Sequence, residues 1–91
     1  MTKAKSKERV LVTGASGGIG EALARRFARA HHDLVLVARS EDRLNALAKE
    51  LKEAHQVDVV VISSDLAVPG EVPKLARNLK RRKLDIDILV N

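Results

Sequence analysis

The stretch that decides the fold is VLVTGASGGIG, at residues 10–20. It opens with three consecutive apolar residues rich in β-branched side chains, which is typical of a strand buried on both faces. Four glycines follow within seven residues. From Ile19 to Ala30, apolar residues then recur at the spacing of one helix face. The stretch therefore predicts a strand, a glycine-rich turn and a helix, in that order.

Strands and helices alternate along the rest of the chain. Short apolar runs predict strands, and stripes at helical spacing predict the helices between them: strands at 34–38, 57–62 and 86–90, helix stripes at 44–54 and 72–79. Such alternation indicates a parallel sheet with right-handed crossovers. The predicted fold class is α/β, the β-α-β-α-β-α-β part of a Rossmann-like doubly wound sheet with strand order 3-2-1-4. We expect the first two helices on one face and the third on the other.

Composition and charge exclude several classes of function. The chain has 91 residues, enough for one small domain, and no Cys, which excludes disulfides, cysteine zinc sites and thiol catalysis. Phe27 is the only aromatic residue, so base stacking on single-stranded nucleic acid is not expected. The net charge of +5 comes from +3 at residues 1–9 and +6 at 74–83, with −4 elsewhere. This uneven distribution does not predict a nucleic-acid surface.

The amino-terminal segment is predicted to be a basic, flexible tail at residues 1–9, before a folded part at residues 10–91. No apolar run follows its lysines, as a signal peptide would require. No apolar stretch approaches the roughly 20 residues of a membrane span. We therefore expect a cytoplasmic protein with no membrane and no nucleic-acid partner.

The glycine-rich loop is the first candidate site. Gly14 suits a tight turn after the strand, Gly18 lets backbone approach a phosphate, and Gly20 permits close helix–strand packing. The amino end of the helix offers unpaired N–H groups to a pyrophosphate. The loop is not the G-x-G-x-x-G fingerprint, because Ser16 and Ile19 stand at two of its glycine positions, and it is not a P-loop. A glycine-rich turn without a ligand is the alternative.

Two further candidates follow the second and third strands. Arg39 lies 19 residues after Gly20, where an arginine would attract the 2′-phosphate of NADP and an acid would bind the ribose of NAD. Ser40 could add a hydroxyl and could cap the second helix. Asp65 and Leu66 end the third strand and could contact adenine. The alternatives are a solvated arginine and an aspartate that only stabilises a turn.

Three other groups of side chains could suggest different chemistry: the histidines His31, His32 and His55, the basic run at 80–83, and the acids Asp85 and Asp87. The histidines lie at predicted helix ends without a ligand pattern, so we expect structural or solvated roles. The basic run suits a solvated helix end better than a nucleic-acid patch. The two acids lie at the start of a strand, away from the ligand-binding edge, which favours structural roles.

Four motifs together resemble those of the short-chain dehydrogenase/reductase family: a T-G-x-x-x-G-x-G loop at 13–20, the second strand of NADP-preferring members at 36–40, an adenine-contacting pair at Asp65 and Leu66, and the approach to N-N-A-G at 87–91. Asn91 stands at the first Asn of the last motif. The four occur in the family's order and at similar spacings from Val10 to the last residue. Together they are far more specific than any one alone.

The resemblance implies an oxidoreductase that moves hydride between NADP(H), less readily NAD, and a small carbonyl or alcohol substrate. It implies coenzyme-binding roles for the loop residues, Arg39, Ser40, Asp65, Leu66 and Asn91. NADP enzymes of the family often carry a base just before the second loop glycine, where this chain has Gly17.

The family's catalytic Ser and Tyr-x-x-x-Lys follow the N-N-A-G motif, and this chain contains no Tyr. We therefore expect a partial domain truncated at that motif, with no catalytic residue to name. The apolar strand at 86–90 would lie at a sheet edge, so we expect a homo-oligomer or marginal stability. A stand-alone, non-catalytic nucleotide-binding or interaction module is the alternative.

Overall fold

The structure, a computed structural model, describes residues 8–91. Most of the predicted tail, residues 1–7, lies outside the described residues. Seven elements follow one another: β1 (Arg9–Thr13), α1 (Gly18–Arg29), β2 (Asp33–Ala38), α2 (Glu41–His55), β3 (Val59–Ser63), α3 (Glu71–Arg81) and β4 (Ile88–Val90). None of the helices within residues 8–91 is long and apolar enough to cross a membrane.

The four strands form one parallel sheet in the order β3-β2-β1-β4. Strand β1 lies between β2 and β4, with Val12 opposite both Leu36 and Val90. Every strand runs in the same direction, so the carboxyl ends of all four lie at one edge of the sheet. The predicted doubly wound α/β fold and its strand order are confirmed.

The core consists of two apolar layers, one on each face of the sheet. The larger layer packs α1 and α2 against alternate strand residues such as Val10, Val12 and Leu36. The smaller layer packs α3, through Leu75, against strand residues that point the other way, such as Val35. Strands β1 and β2 are continuous apolar runs because both of their faces are buried. The predicted distribution of helices, two on one face and one on the other, is confirmed.

Strand β1 begins at Arg9, one residue before the predicted start. The backbone N–H of Arg9 donates to Asp87 Oδ2 at 2.8 Å, and the N–H of Asp87 donates to the Arg9 carbonyl at 2.9 Å. This reciprocal pair extends the pairing of β1 toward the segment before β4. Asp87 therefore has a structural role at the amino end of the sheet, as predicted.

The other two late strands are shorter or shifted relative to the prediction. Strand β3 covers Val59–Ser63 instead of residues 57–62, although Val57 is buried in the larger layer just before it. Strand β4 pairs with β1 only over Ile88–Val90 instead of residues 86–90. In both cases an apolar residue packed against the core outside the ladder, the buried Val57 and the partly buried Ile86, resembled strand sequence. Strand β4 is at the sheet edge, and Leu89 is 61% exposed.

Ser40 occupies the N-cap position of α2, but its side chain makes no capping hydrogen bond. Its carbonyl accepts the N–H of Leu44 at 3.1 Å, the first bond of the helix. Negative charge in the first turn comes from Glu41 and Asp42, which complement the positive end of the helix dipole. The predicted start of the helix is confirmed, and the predicted hydroxyl cap is wrong.

The three histidines lie at the ends of helices. His31 has a left-handed backbone with φ 68° just after α1, and His55 is the last residue of α2. The His32 ring packs edge-on against Phe27, with the ring centres 5.5 Å apart. No group of three potential metal ligands occurs among residues 8–91.

Helices α1 and α2 are joined by an ion-pair cluster on their exposed side. Arg25 of α1 pairs with Glu21 one turn earlier, at 2.8 Å, and with Glu50 of α2. The hydrogen bond from Arg25 and its positive charge hold the pKa of the Glu50 carboxyl below its usual value. The same bonds, first of all the one to Glu50, raise the pKa of Arg25.

Replacing Glu50 with Gln is expected to cause a small, pH-dependent loss of stability. Because the pKa of Glu50 is lower in the folded chain, its ion pair stabilises the fold above the ordinary glutamate pKa. That stabilisation is lost as the pH falls through the lowered value. Melting temperatures from neutral to acidic pH should therefore converge for wild type and Glu50→Gln. The control is Glu53→Gln on the same helix, and an equal pH-dependent effect there would contradict the assignment.

Candidate functional site

An open cleft of about 390 Å³ lies along the carboxyl ends of the strands. Six of the ten predicted site residues line it: Gly14, Ser16, Arg39, Asp65, Leu66 and Asn91. The other four, Gly18, Ile19, Gly20 and Ser40, do not line it, although Gly18 and Ser40 each follow a lining residue in the chain. Ligands of open parallel sheets bind at this edge, outside the strand carboxyl ends. The fold thus brings together residues separated by up to 77 positions in the chain.

The glycine loop folds back tightly between β1 and α1. Gly14 has φ +64°, a left-handed conformation that favours glycine. The N–H of Gly17 donates to the Gly14 carbonyl at 3.1 Å, and the N–H of Ala15 donates to the Val37 carbonyl at 3.2 Å. A Cβ added to Gly20 would lie 2.2 Å from the Gly14 oxygen. Gly20 is therefore required by close packing of α1 on the loop that follows β1.

The amino end of α1 opens beside the cleft. Gly17, which lines the cleft, is the N-cap residue and supplies no side-chain cap. A Cβ added to Gly18 would meet nothing within 4 Å, and the Ile19 side chain is 80% exposed. The first N–H groups of the helix are therefore covered by no capping side chain. With the positive end of the helix dipole, they suit a negatively charged group.

Arg39 follows β2 directly and lines the cleft with an exposed side chain. Its backbone is held in place, because its carbonyl accepts the Ser63 hydroxyl at 3.1 Å. Within residues 8–91, no carboxylate forms an ion pair with its guanidinium. A fixed backbone and an unpaired cation are what an anion-binding residue requires.

Asp65 and Leu66 lie in a turn, because β3 ends at Ser63 and not at these residues as predicted. Asp65 Oδ1 accepts the N–H of Ala67 at 3.0 Å, a bond that stabilises the turn. Both residues nevertheless line the cleft. The two interpretations of Asp65, as turn residue and as cleft residue, are therefore compatible.

Thr13 is a cleft residue that the candidate set lacked. Its hydroxyl donates to Asn91 Oδ1 at 2.9 Å and so connects the carboxyl ends of β1 and β4. Gly17, Val37, Ala38 and Ser64 also line the cleft. The signal that could have found them is position, since each lies at or just after a strand end or in the loop.

A second cleft, of about 500 Å³, lies between α1 and α2 and shares Ser16 and Gly17 with the first. Arg43, from the first turn of α2, lines it and donates through Nη1 to the Ser16 carbonyl at 3.4 Å. Arg43 was not a candidate from the sequence. The sequence did contain a signal for Arg43. A cation in the first turn of a helix interacts unfavourably with the helix dipole, so its presence there suggests another role.

Fold and cleft together define an α/β protein of the doubly wound class, in which ligands bind outside the carboxyl ends of the strands. The family profile for short chain dehydrogenase matches residues 8–91. The chain therefore belongs to the short-chain dehydrogenase family.

Two bacterial relatives illustrate the similarity. An uncharacterized oxidoreductase of Staphylococcus epidermidis is 39% identical over 97% of this chain and 37% of its own length. An NADP-dependent 3-hydroxy acid dehydrogenase of Salmonella typhi is 38% identical over 90% of this chain and 32% of its own. The chain thus spans about a third of the length of these curated relatives.

Solved structures share the same arrangement. A short-chain dehydrogenase from Sphingobium yanoikuyae in complex with NADPH has 46% identity and a TM-score of 0.81, over 90% of this chain and 32% of that one. An alcohol dehydrogenase from Thermococcus sibiricus complexed with 5-hydroxy-NADP has 37% identity and a TM-score of 0.86, over 92% and 36%. These neighbours support a nicotinamide dinucleotide as the ligand class of the family's cleft.

Proposed function

We propose that this chain binds the adenosine end of NADP(H) and is the coenzyme-binding part of an oxidoreductase. The observation that carries the proposal is the cleft in which the uncapped end of α1 and the unpaired Arg39 lie together. The two features match the two anionic groups of NADP, its pyrophosphate and its 2′-phosphate. The NADPH-bound neighbour and the NADP-dependent relative support the same coenzyme.

The loop residues are assigned to the pyrophosphate. Gly14 makes the turn, Gly20 brings the helix close, and Gly18 leaves open space beside the helix end. The N–H groups around Gly18 and Ile19 would then donate to phosphate oxygens, and the exposed Ile19 side chain would pack against the coenzyme. Ser16, on the wall of the cleft, is assigned to the adenosine ribose and its phosphate.

The residues that follow β2, β3 and β4 are assigned to the 2′-phosphate, to the adenine ring and to the part of the coenzyme beyond the pyrophosphate. Arg39, with the Ser40 hydroxyl, binds the 2′-phosphate. Asp65 and Leu66 border the adenine ring, since both line the cleft beyond β3. Asn91 follows β4 and is held by the Thr13 hydroxyl. It is assigned to the part of the coenzyme that would extend from the pyrophosphate past the glycine loop.

Hydride transfer to or from a small carbonyl or alcohol is proposed for the whole protein. A nicotinamide bound there would supply or accept the hydride. Residues 10–91 are proposed to form part of its coenzyme-binding domain, a part that does not catalyse by itself. The homo-oligomer and the cytoplasmic location stay predictions.

Calorimetric titration with adenosine 2′,5′-bisphosphate tests the proposal, with 5′-AMP as the matched ligand. The first contains the 2′-phosphate and the second does not, so we expect at least tenfold tighter binding of the bisphosphate, about 1.4 kcal/mol. Calorimetry suits a chain that has neither Trp nor Tyr for fluorescence. Equal affinities would contradict NADP as the coenzyme, and no binding by the folded chain would contradict the proposal.

The alternative function is a non-catalytic nucleotide-binding or interaction module. The full reading frame distinguishes the two candidate functions. A Tyr-x-x-x-Lys motif after Asn91 supports the oxidoreductase, and a reading frame without one supports the module. Turnover of a carbonyl by this chain with NADPH would contradict both the alternative of a non-catalytic module and the proposal that residues 10–91 do not catalyse by themselves.

A further inference from the structure

We propose that Arg43 is a second cation for the 2′-phosphate of NADP(H) and so determines coenzyme specificity together with Arg39. The inference rests on the proposed function and deepens it. It also accounts for Gly17, which stands where NADP enzymes of the family often carry a base. In this chain that positive charge comes from α2 instead of the loop.

The position of Arg43 carries the argument. Its Nη1 lies 3.4 Å from the carbonyl oxygen of Ser16, next to Gly17 in the chain. Ser16 lines the coenzyme cleft together with Arg39, and it also lines the second cleft together with Arg43. The Arg43 guanidinium therefore contacts the cleft wall from its outer side. To contact a phosphate bound beside Arg39, the Arg43 side chain would leave the Ser16 carbonyl and adopt another rotamer.

Arg43 is also available for a new partner. Arg25, the other cation of the second cleft, is occupied by Glu21 and Glu50. Within residues 8–91, no carboxylate pairs with Arg43. Its bond to the Ser16 carbonyl, at 3.4 Å, is longer than a usual N–H···O bond and correspondingly weak. A phosphate would displace it, because the phosphate offers the guanidinium a full negative charge and the possibility of two parallel bonds, whereas the Ser16 carbonyl offers one long bond to a neutral acceptor.

The charge of the ligand and of the helix explains why a second cation is useful. A phosphate monoester carries about −1.5 to −2 at pH 7, so one arginine neutralises only part of it. Arg43 lies in the first turn of α2, where the dipole disfavours a cation. A phosphate beside that helix end removes the unfavourable interaction. Arg43 thereby strengthens the binding of NADP(H), which has the 2′-phosphate, and not that of NAD(H), which lacks it.

The test titrates wild type, Arg43→Gln and Arg43→Lys with adenosine 2′,5′-bisphosphate and with 5′-AMP. We expect about tenfold weaker binding of the bisphosphate by Arg43→Gln, with 5′-AMP unchanged, because one charge-assisted contact is lost. Arg43→Lys keeps the charge and should recover part of the loss. Arg77→Gln is the matched control, since Arg77 is an exposed arginine on α3 at the other face of the sheet.

Two results would overturn the proposal. An equal loss of affinity for both ligands in Arg43→Gln would mean that Arg43 only holds the loop through Ser16. An unchanged bisphosphate affinity, or the same loss in Arg77→Gln, would mean that Arg43 is a general surface charge. Failure of the proposed function is distinguishable, because the unsubstituted chain would then not prefer the bisphosphate at all.

Discussion

Gly20→Ala is expected to lower the free energy of unfolding by about 3 kcal/mol or more, a large fraction of the total stability of a small domain. The added Cβ would lie 2.2 Å from the Gly14 oxygen and 2.8 Å from its carbonyl carbon. Both are backbone atoms, so relief requires a shift of the loop or of α1. That shift would separate α1 from the loop and disturb the packing of Ala24 and Ala28 in the larger layer. Urea denaturation followed by circular dichroism measures the effect.

Gly18→Ala is the matched control, two residues earlier in the same helix. Its Cβ would meet nothing within 4 Å, so stability should be unchanged or higher by up to about 1 kcal/mol. Its binding of adenosine 2′,5′-bisphosphate should nevertheless weaken, because the methyl group projects into the space assigned to the phosphates. Similar unfolding free energies for the two alanine variants would contradict the role assigned to Gly20.

Arg39→Asp is expected to reverse the preference for the 2′-phosphate. The change removes charge-assisted bonds, each worth about 1.5–3 kcal/mol, and places a carboxylate beside the phosphate. The ratio of 5′-AMP to bisphosphate dissociation constants should therefore fall about 100-fold or more. Titration of the purified chain with both ligands at one fixed salt concentration measures that ratio. The fold should be retained, because the Arg39 side chain is exposed and only its carbonyl is bound by Ser63.

Arg77→Asp makes the same change of net charge on α3, away from the cleft. It should weaken the binding of both ligands slightly and equally, through the overall field of the protein. A ratio that is unchanged in Arg39→Asp, or that changes as much in Arg77→Asp, would mean that Arg39 is an ordinary surface residue. The double variant Arg39→Asp, Arg43→Gln then shows whether the two arginines act on the same phosphate, since their effects would be non-additive.

Local sequence was sufficient to predict most of the fold. Apolar runs such as Val10 to Val12 predict doubly buried strands because a central strand of a parallel sheet is covered by helices on both of its faces. The prediction was less accurate at element ends. Val57 is buried and Ile86 is partly buried, but neither pairs in the ladder, so their apolar side chains extended the predicted strands too far. Ser40 has the expected position and not the expected bond, because a hydroxyl's orientation is not encoded in its spacing.

The sequence by itself determined the parallel sheet, the strand order and the place of the cleft, because alternating strand and helix patterns have few compatible topologies. Only the tertiary structure decided which groups meet there. The Arg43 contact with Ser16 joins residues 27 apart, and the bond from Thr13 to Asn91 joins residues 78 apart. The close approach of Gly20 to the Gly14 oxygen likewise depends on how α1 leaves the loop. Such contacts follow from the packing of whole elements, which no local pattern specifies.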